Sequence, residues 1–158
     1  MNIQKLSSAD LTGIGKAILV KDSMIPDGKD ELQTYYGKIG ALPECGGYQV
    51  GICIAKKRPM IVDELESHVQ TVEFLGAMNG SFVVAAAPSK EVDGQRVPDV
   101  DKAVALLVEQ GEAILFDVGV WHWTPFAVEE ESNVLVIFKT DTPANDFNGY
   151  KVDPIEIV

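Results

Sequence analysis

The chain has 158 residues, 46% of them hydrophobic and 23% charged, which suits one domain over 1–158 with its own core and excludes a fibre, a repeat array or a long disordered chain. Thirteen basic against twenty-four acidic residues leave a net charge of −11. That field repels phosphate backbones and anionic lipid, so neither nucleic acid nor a membrane surface is an expected partner.

The N-terminal MNIQKLSSADL lacks the apolar core of a signal peptide, and no apolar run approaches the roughly eighteen residues of a membrane helix, so the cytoplasm is the expected location. The first run with strand character is KAILV at 16–20. Residues 22–47 read as a long loop, a candidate lid or dimer-exchange segment. YQVGICIA at 48–55 reads as a strand, with Cys53 as a buried thiol; two plain cysteines argue against a disulfide framework or zinc knuckle. KKRP at 56–59 is a local basic cluster able to meet a small anion despite the acidic whole.

VEFLGA at 72–77 and SFVVAAA at 81–87 are β-rich runs, joined at Asn79-Gly80, a strong hairpin cue. DVDKAVALLVEQG at 99–111 has an Asp cap candidate, apolar Val104, Leu107 and Val108 and a closing Gly; it is predicted to be the one helix or an irregular excursion. EAILFD at 112–117, WHWTPFAV at 121–128 and NVLVIFKT at 133–140 complete the set of strands. About seven short strands with one short helix predict a mainly β sandwich or barrel.

The chain has only two histidines, His68 and His122. Glu66 stands two residues before His68, so the two face one way if the segment is extended. Glu73 and Gly80 follow, giving Glu-x-His-(x4)-Glu-(x6)-Gly, and later DVGVWHW gives Asp-x-Gly-x-x-His through Asp117, Gly119 and His122. These pieces resemble the two signature motifs of the cupin superfamily. Glu66 stands where its first histidine would be and Asp117 where its proline would be. The resemblance implies a cupin-type jelly-roll barrel and a divalent metal, Ni, Mn or Zn, held by His68, Glu73 and His122. A carboxylate in place of an imidazole makes the donor set harder, which leaves two readings open: a site that favours Mn or Ni over Zn, or one that holds no metal tightly.

From about Lys56 onward a closer likeness covers most of the chain. VDELESH, FLGAMNGSFVVAAAP and VPDVDKAVALLVEQGEAILFDVGVWHWTPFAV resemble the ureidoglycolate lyase family, formerly called ureidoglycolate hydrolase. Val69 and Trp123 depart from that family's Pro and second His, and KTDTPANDF replaces its basic segment after the last strand. The resemblance implies a homodimer that cleaves ureidoglycolate to glyoxylate and urea. His122, Glu66 and His68 are then the catalytic candidates, and Lys56, Arg58 and Trp123 the candidates for substrate contact. Two other readings stay open: a cupin metalloenzyme acting on another small hydroxy acid or sugar acid, and a small-ligand-binding cupin without turnover.

Overall fold

The computed structural model describes all residues, Met1–Val158. In chain order the strands are β1 (Ile3–Lys5), β2 (Gly15–Ile18), β3 (Gly28–Lys29), β4 (Thr34–Tyr35), β5 (Tyr48–Lys56), β6 (Ile61–Ser67), β7 (Glu73–Asn79), β8 (Phe82–Ala87), β9 (Ser89–Val92) and β10 (Gln95–Pro98). They continue as β11 (Val104–Val108), β12 (Ala113–Phe116), β13 (Trp121–His122), β14 (Phe126–Ala127), β15 (Glu131–Lys139) and β16 (Asn148–Glu156), with a single short helix, α1 (Thr142–Asn145), before β16.

Two sheets carry the fold. A seven-stranded sheet runs β1-β11-β8-β13-β6-β16, with β14 also on β8, and a five-stranded sheet runs β2-β12-β7-β15-β5. Every pairing is antiparallel except β1 with β11. The main core lies between the sheets, where Phe82, Val84 and Ala86 of β8 and Leu106 and Val108 of β11 meet Leu75, Ile114, Phe116 and Val134. A second cluster, with Val83, Ala85 and Ala87, uses the opposite side of β8. Strand β8 is therefore buried on both faces, which is why SFVVAAA shows no polar alternation. Each large side chain shut away in this way contributes about 1.5–3 kcal/mol.

This is the expected jelly-roll architecture, with two sheets that stay open at their edges rather than one closed barrel. The Asn79-Gly80 turn joins β7 to β8 but not as the expected hairpin: β7 pairs with β12 and β15 in one sheet and β8 with β11, β13 and β14 in the other, so the turn, with Gly80 at φ +76°, carries the chain from sheet to sheet. The helix expected over 99–111 does not form. Val100–Lys102 makes one 3₁₀ turn, and Val104–Val108 is strand β11, paired with β8 on one side and β1 on the other. Its run of apolar residues serves two packed faces, Leu106 and Val108 toward one cluster and Ala105 toward the other, so a doubly buried strand mimics a helical stripe.

WHWTPFAV also breaks differently from the expectation, into the short β13 and β14 on either side of Trp123 to Pro125. Residues 22–47 hold only the two-residue pairing of β3 with β4, and their end, at Gly40 to Leu42, packs with Ile18, Phe74, Leu115 and Ile137 on the outside of the five-stranded sheet. No helix is long and apolar enough to cross a membrane. Cys45 and Cys53 are both unpaired.

Candidate metal centre

Strand β13 lies between β6 and β8, and its register sets His122 opposite Glu66 on one side and Ala86 on the other. Because Ala86 faces the inter-sheet core, Glu66 and His122 face it too. His68 follows directly after the last residue of β6, Ser67, and Glu73 is the first residue of β7 in the opposite sheet. The four side chains converge between the sheets. His68, Glu73 and His122 are all buried.

Glu73 Oε2 lies 3.2 Å from His68 Nε2 and 2.9 Å from His122 Nε2, and Glu66 Oε1 is 3.9 Å from the same His122 nitrogen. The imidazole centroids are 5.4 Å apart at 61°. Each remaining ring nitrogen faces a main-chain carbonyl: His68 Nδ1 is 2.6 Å from the oxygen of Asp146 and His122 Nδ1 is 3.2 Å from that of Val120. A carbonyl only accepts, so both Nδ1 atoms carry the proton and both Nε2 atoms turn toward Glu73. Phe116 stacks on His122 at 5.0 Å and fixes the ring plane from below.

Charge is concentrated here. Burial disfavours the charged form of His68, but Glu73, the Asp146 carbonyl and Glu66 outweigh it and push its pKa up to about 9. His122 is raised as well, with burial again opposed by Glu73. Burial would raise Glu73, yet the two imidazoles pull it down to about 2, so it stays ionised. Glu66 goes the other way: its burial lifts the carboxyl above the usual range despite His122 nearby.

Glu73 Oε2 and His122 Nε2 are buried without an aligned hydrogen-bond partner, although they are 2.9 Å apart. The contact is a short-range charge pair whose N–H does not point along the line of centres, so the distance alone overstates it. A carboxylate oxygen about 3 Å from each of two imidazole nitrogens matches the ligand-to-ligand spacing around a small divalent ion, whose bonds to N and O are about 2.0–2.2 Å. Ligand atoms of Glu66, His68 and His122 also lie within 4.8 Å of one another. The donor set fits a divalent metal, with Glu66 as a further ligand or a free carboxyl at its edge.

A pocket of about 280 Å³ opens onto this centre, lined by Glu66, Glu73 and His122 at its base and by Cys53, Trp123 and Phe138 among its walls. A larger groove of about 510 Å³ elsewhere, between Gln4 and Val104, has no histidine and no convergent carboxylates, and volume alone does not make it a site. Trp123 stands where a substrate contact was expected. Lys56 and Arg58 do not line the pocket: Lys56 pairs with Glu131 at the surface, and Arg58 donates to the carbonyls of Thr124 and Pro125 while lying 3.9 Å over Phe126. Arg58 therefore braces the wall that Trp123 to Pro125 form.

Sequence reasoning missed Asp146. Its carboxylate accepts from the N–H groups of Val69 and Gln70, and its carbonyl holds His68, so the turn after α1 clamps the whole His68 loop. Position 146 stands 78 residues from His68, with no local pattern to announce it. The half-buried Cys53, expected in the core, was also missed as a pocket residue.

Two facing antiparallel sheets with a His/Glu centre between them define a jelly-roll of the cupin type. A family model for ureidoglycolate lyase matches residues 32–157, so the likeness extends further toward the N-terminus than the motifs alone indicate. The chain belongs to the ureidoglycolate lyase family. No curated protein matches it in a sequence search. Among solved structures it is similar to a mutant of Bacillus subtilis oxalate decarboxylase, at 17% identity and TM-score 0.39, covering 83% of this chain and 36% of that one. A structure of the same enzyme concerned with its Mn(II) centres gives 18% identity, TM-score 0.37 and coverage of 87% and 35%. The chain spans about a third of the length of these structures.

Proposed function

We propose that this protein is a metal-dependent lyase that cleaves ureidoglycolate to glyoxylate and urea. The observation that carries the reading is the convergence of the only two histidines on one ionised carboxylate at the base of a pocket, in a chain of the ureidoglycolate lyase family. His68, Glu73 and His122 would hold the ion, Mn, Ni or Zn, with the second carboxylate, Glu66, at its edge. Bound there, it would act as a Lewis acid toward a hydroxy acid and lower the hydroxyl pKa.

Cleavage requires that the hydroxyl proton leave, the C–O bond become C=O, the C–N bond break and the departing urea nitrogen gain a proton. Glu66 suits both proton steps. It faces the pocket beside His122, and its raised pKa brings acid and base forms nearer to equal population. Ionised, it takes the hydroxyl proton; protonated, it returns that proton to nitrogen, so the cycle balances without another reactant. Glu73, held ionised by its neighbours, is unsuited to donating a proton. Trp123 walls the substrate on the open side.

With Lys56 and Arg58 engaged elsewhere, neither supplies a free cation to the pocket. The substrate carboxylate is then recognised by the centre itself. This lining also favours a second reading, another small hydroxy acid or sugar acid in the same pocket, over a substrate with two acidic groups. The decisive assay is release of both urea and glyoxylate by metal-loaded protein, abolished by His122→Ala with an unchanged circular dichroism spectrum. Metal binding without urea supports the second reading; ligand-induced thermal stabilisation without product supports binding alone.

We also propose a cytoplasmic homodimer. Its support is the outer face of the five-stranded sheet, where Val50, Ile52 and Ile54 on edge strand β5 and Met78 on β7 are more than half exposed and carry no charge within a strongly acidic chain. Ile52→Lys is expected to shift the sedimentation of a dimer to that of a monomer.

A further inference from the structure

Outside the two main sheets stands the β9–β10 hairpin, whose strands pair only with each other. Among its contacts with the body is the part-buried side chain of Arg96. Nη2 donates to Ser67 Oγ at 2.8 Å, and Nη1 donates to the carbonyl of Gly119 at 2.8 Å. Ser67 immediately precedes His68, while Gly119 lies in the turn that leads into β13 and His122. Gly119 also donates its own N–H to the carbonyl of His68 at 2.7 Å. Arg96 thus stands where the two histidine-bearing segments cross, and it is joined to both by a rigid planar fork.

Three further features fit that role. Gly119 adopts φ +80°, and a Cβ there would meet Arg96 Nη1 at 2.2 Å, so the turn leaves just enough room for the guanidinium. Ser89 Oγ, from the same hairpin, donates to the same Gly119 carbonyl at 2.8 Å. The guanidinium lies 5.4 Å from the ring of Trp121, the neighbour of His122. Hydrogen bonds to a charged donor in a part-buried setting are among the stronger ones, and a bidentate Arg cannot be replaced by the point charge of Lys without losing one arm.

We infer that Arg96 is a positioning residue of the metal centre, fixing the separation of His68 and His122 from behind and so setting metal affinity. It touches neither metal nor substrate. The inference rests on the metal-centre reading of the site, and it goes beyond it in assigning a task to a hairpin that the chemistry does not otherwise need.

The test is titration of the full-length apoprotein with Mn(II), Ni(II) and Zn(II) separately, comparing the wild type with Arg96→Ala, Arg96→Lys and Lys90→Gln. Lys90→Gln removes the hairpin's ion pair with Asp99 and controls for general loosening of the hairpin. We expect Arg96→Ala to weaken binding about 10- to 100-fold, the usual effect of losing a group that orients ligands. Arg96→Lys should recover part of that loss, and Lys90→Gln should leave affinity within about twofold of wild type. Equal affinities for wild type and a folded Arg96→Ala, or a loss in Lys90→Gln as large as that in Arg96→Ala, overturns the assignment. If Arg96→Ala does not fold, Arg96→Lys decides: wild-type affinity for it refutes the bidentate pin. A wild type that binds none of the three ions overturns the metal-centre reading and this inference together.

Discussion

The two histidines of the centre are held in contrasting ways. His122 is supported close at hand: it sits on a strand between two others, its Nδ1 meets the carbonyl of Val120 two residues away, and Phe116 stacks beneath it. His68 lies just beyond the end of its strand, and its orientation depends on Asp146, a residue of the C-terminal segment. One ring is fixed by the core and the other by a tether. A tethered ligand is the easier one to disorder without unfolding the protein, so substitutions can separate the two halves of the centre.

The largest effect is expected from removing the rings themselves. His122→Ala or His68→Ala should abolish stoichiometric metal binding and lower lyase activity by on the order of a thousandfold or more, read by metal analysis and by urea release. Asp146→Ala comes next. It strips the part-buried N–H groups of Val69 and Gln70 of their acceptor, at a cost of about 1 kcal/mol, and should weaken metal binding about tenfold through His68. Denaturant unfolding and metal titration read the two parts separately. If Asp146→Ala costs stability but leaves metal affinity unchanged, the tether is structural only.

pH sharpens the comparison further. Because the His68 pKa is raised to about 9 from 6.5, the stabilisation it lends the metal-free fold is complete below about pH 6.5 and disappears as pH rises through 9. Glu73, depressed to about 2 from 4.5, lends stability present above about pH 4.5 and lost as pH falls toward 2. The metal-free protein should therefore be most stable between about pH 4.5 and 6.5 in thermal melts. Metal must displace protons from both Nε2 atoms, so its affinity should rise with pH across the range in which the metal-free fold weakens. The smallest effect is expected from Phe116→Leu, which removes the ring under His122 but keeps a buried apolar side chain: about 1 kcal/mol of stability and a few-fold in metal affinity. A larger metal effect there than in Asp146→Ala would reverse the contrast between the two halves.

The chemistry-bearing residues were legible because their spacing resembles the two cupin motifs. Glu66, His68, Glu73 and His122 could be assigned to one centre before any strand was placed. Their supports were not legible: Asp146 and Arg96 reach the histidines from distant segments, and an isolated Asp or Arg between polar neighbours looks like any solvated charge. Lys56 and Arg58 carried the opposite risk. A basic run beside a strand suggested an anion clamp, while the strand's direction sends Lys56 to Glu131 and Arg58 to a pocket wall. At 99–111 the failure lay in periodicity, since five apolar residues that fill both faces of β11 satisfy a helical template as well as a strand.

The order of strands in the seven-stranded sheet has a kinetic consequence. Strands β6 and β13 are neighbours in the sheet although β7 to β12 lie between them in the chain, so the centre rests on contacts between positions far apart in sequence. Topologies of this kind pass a slow barrier in which loop closure precedes its reward. If the centre completes after that barrier, an ion that binds it leaves the refolding rate almost untouched and acts on escape from the native state, lengthening the protein's lifetime against heat and proteolysis.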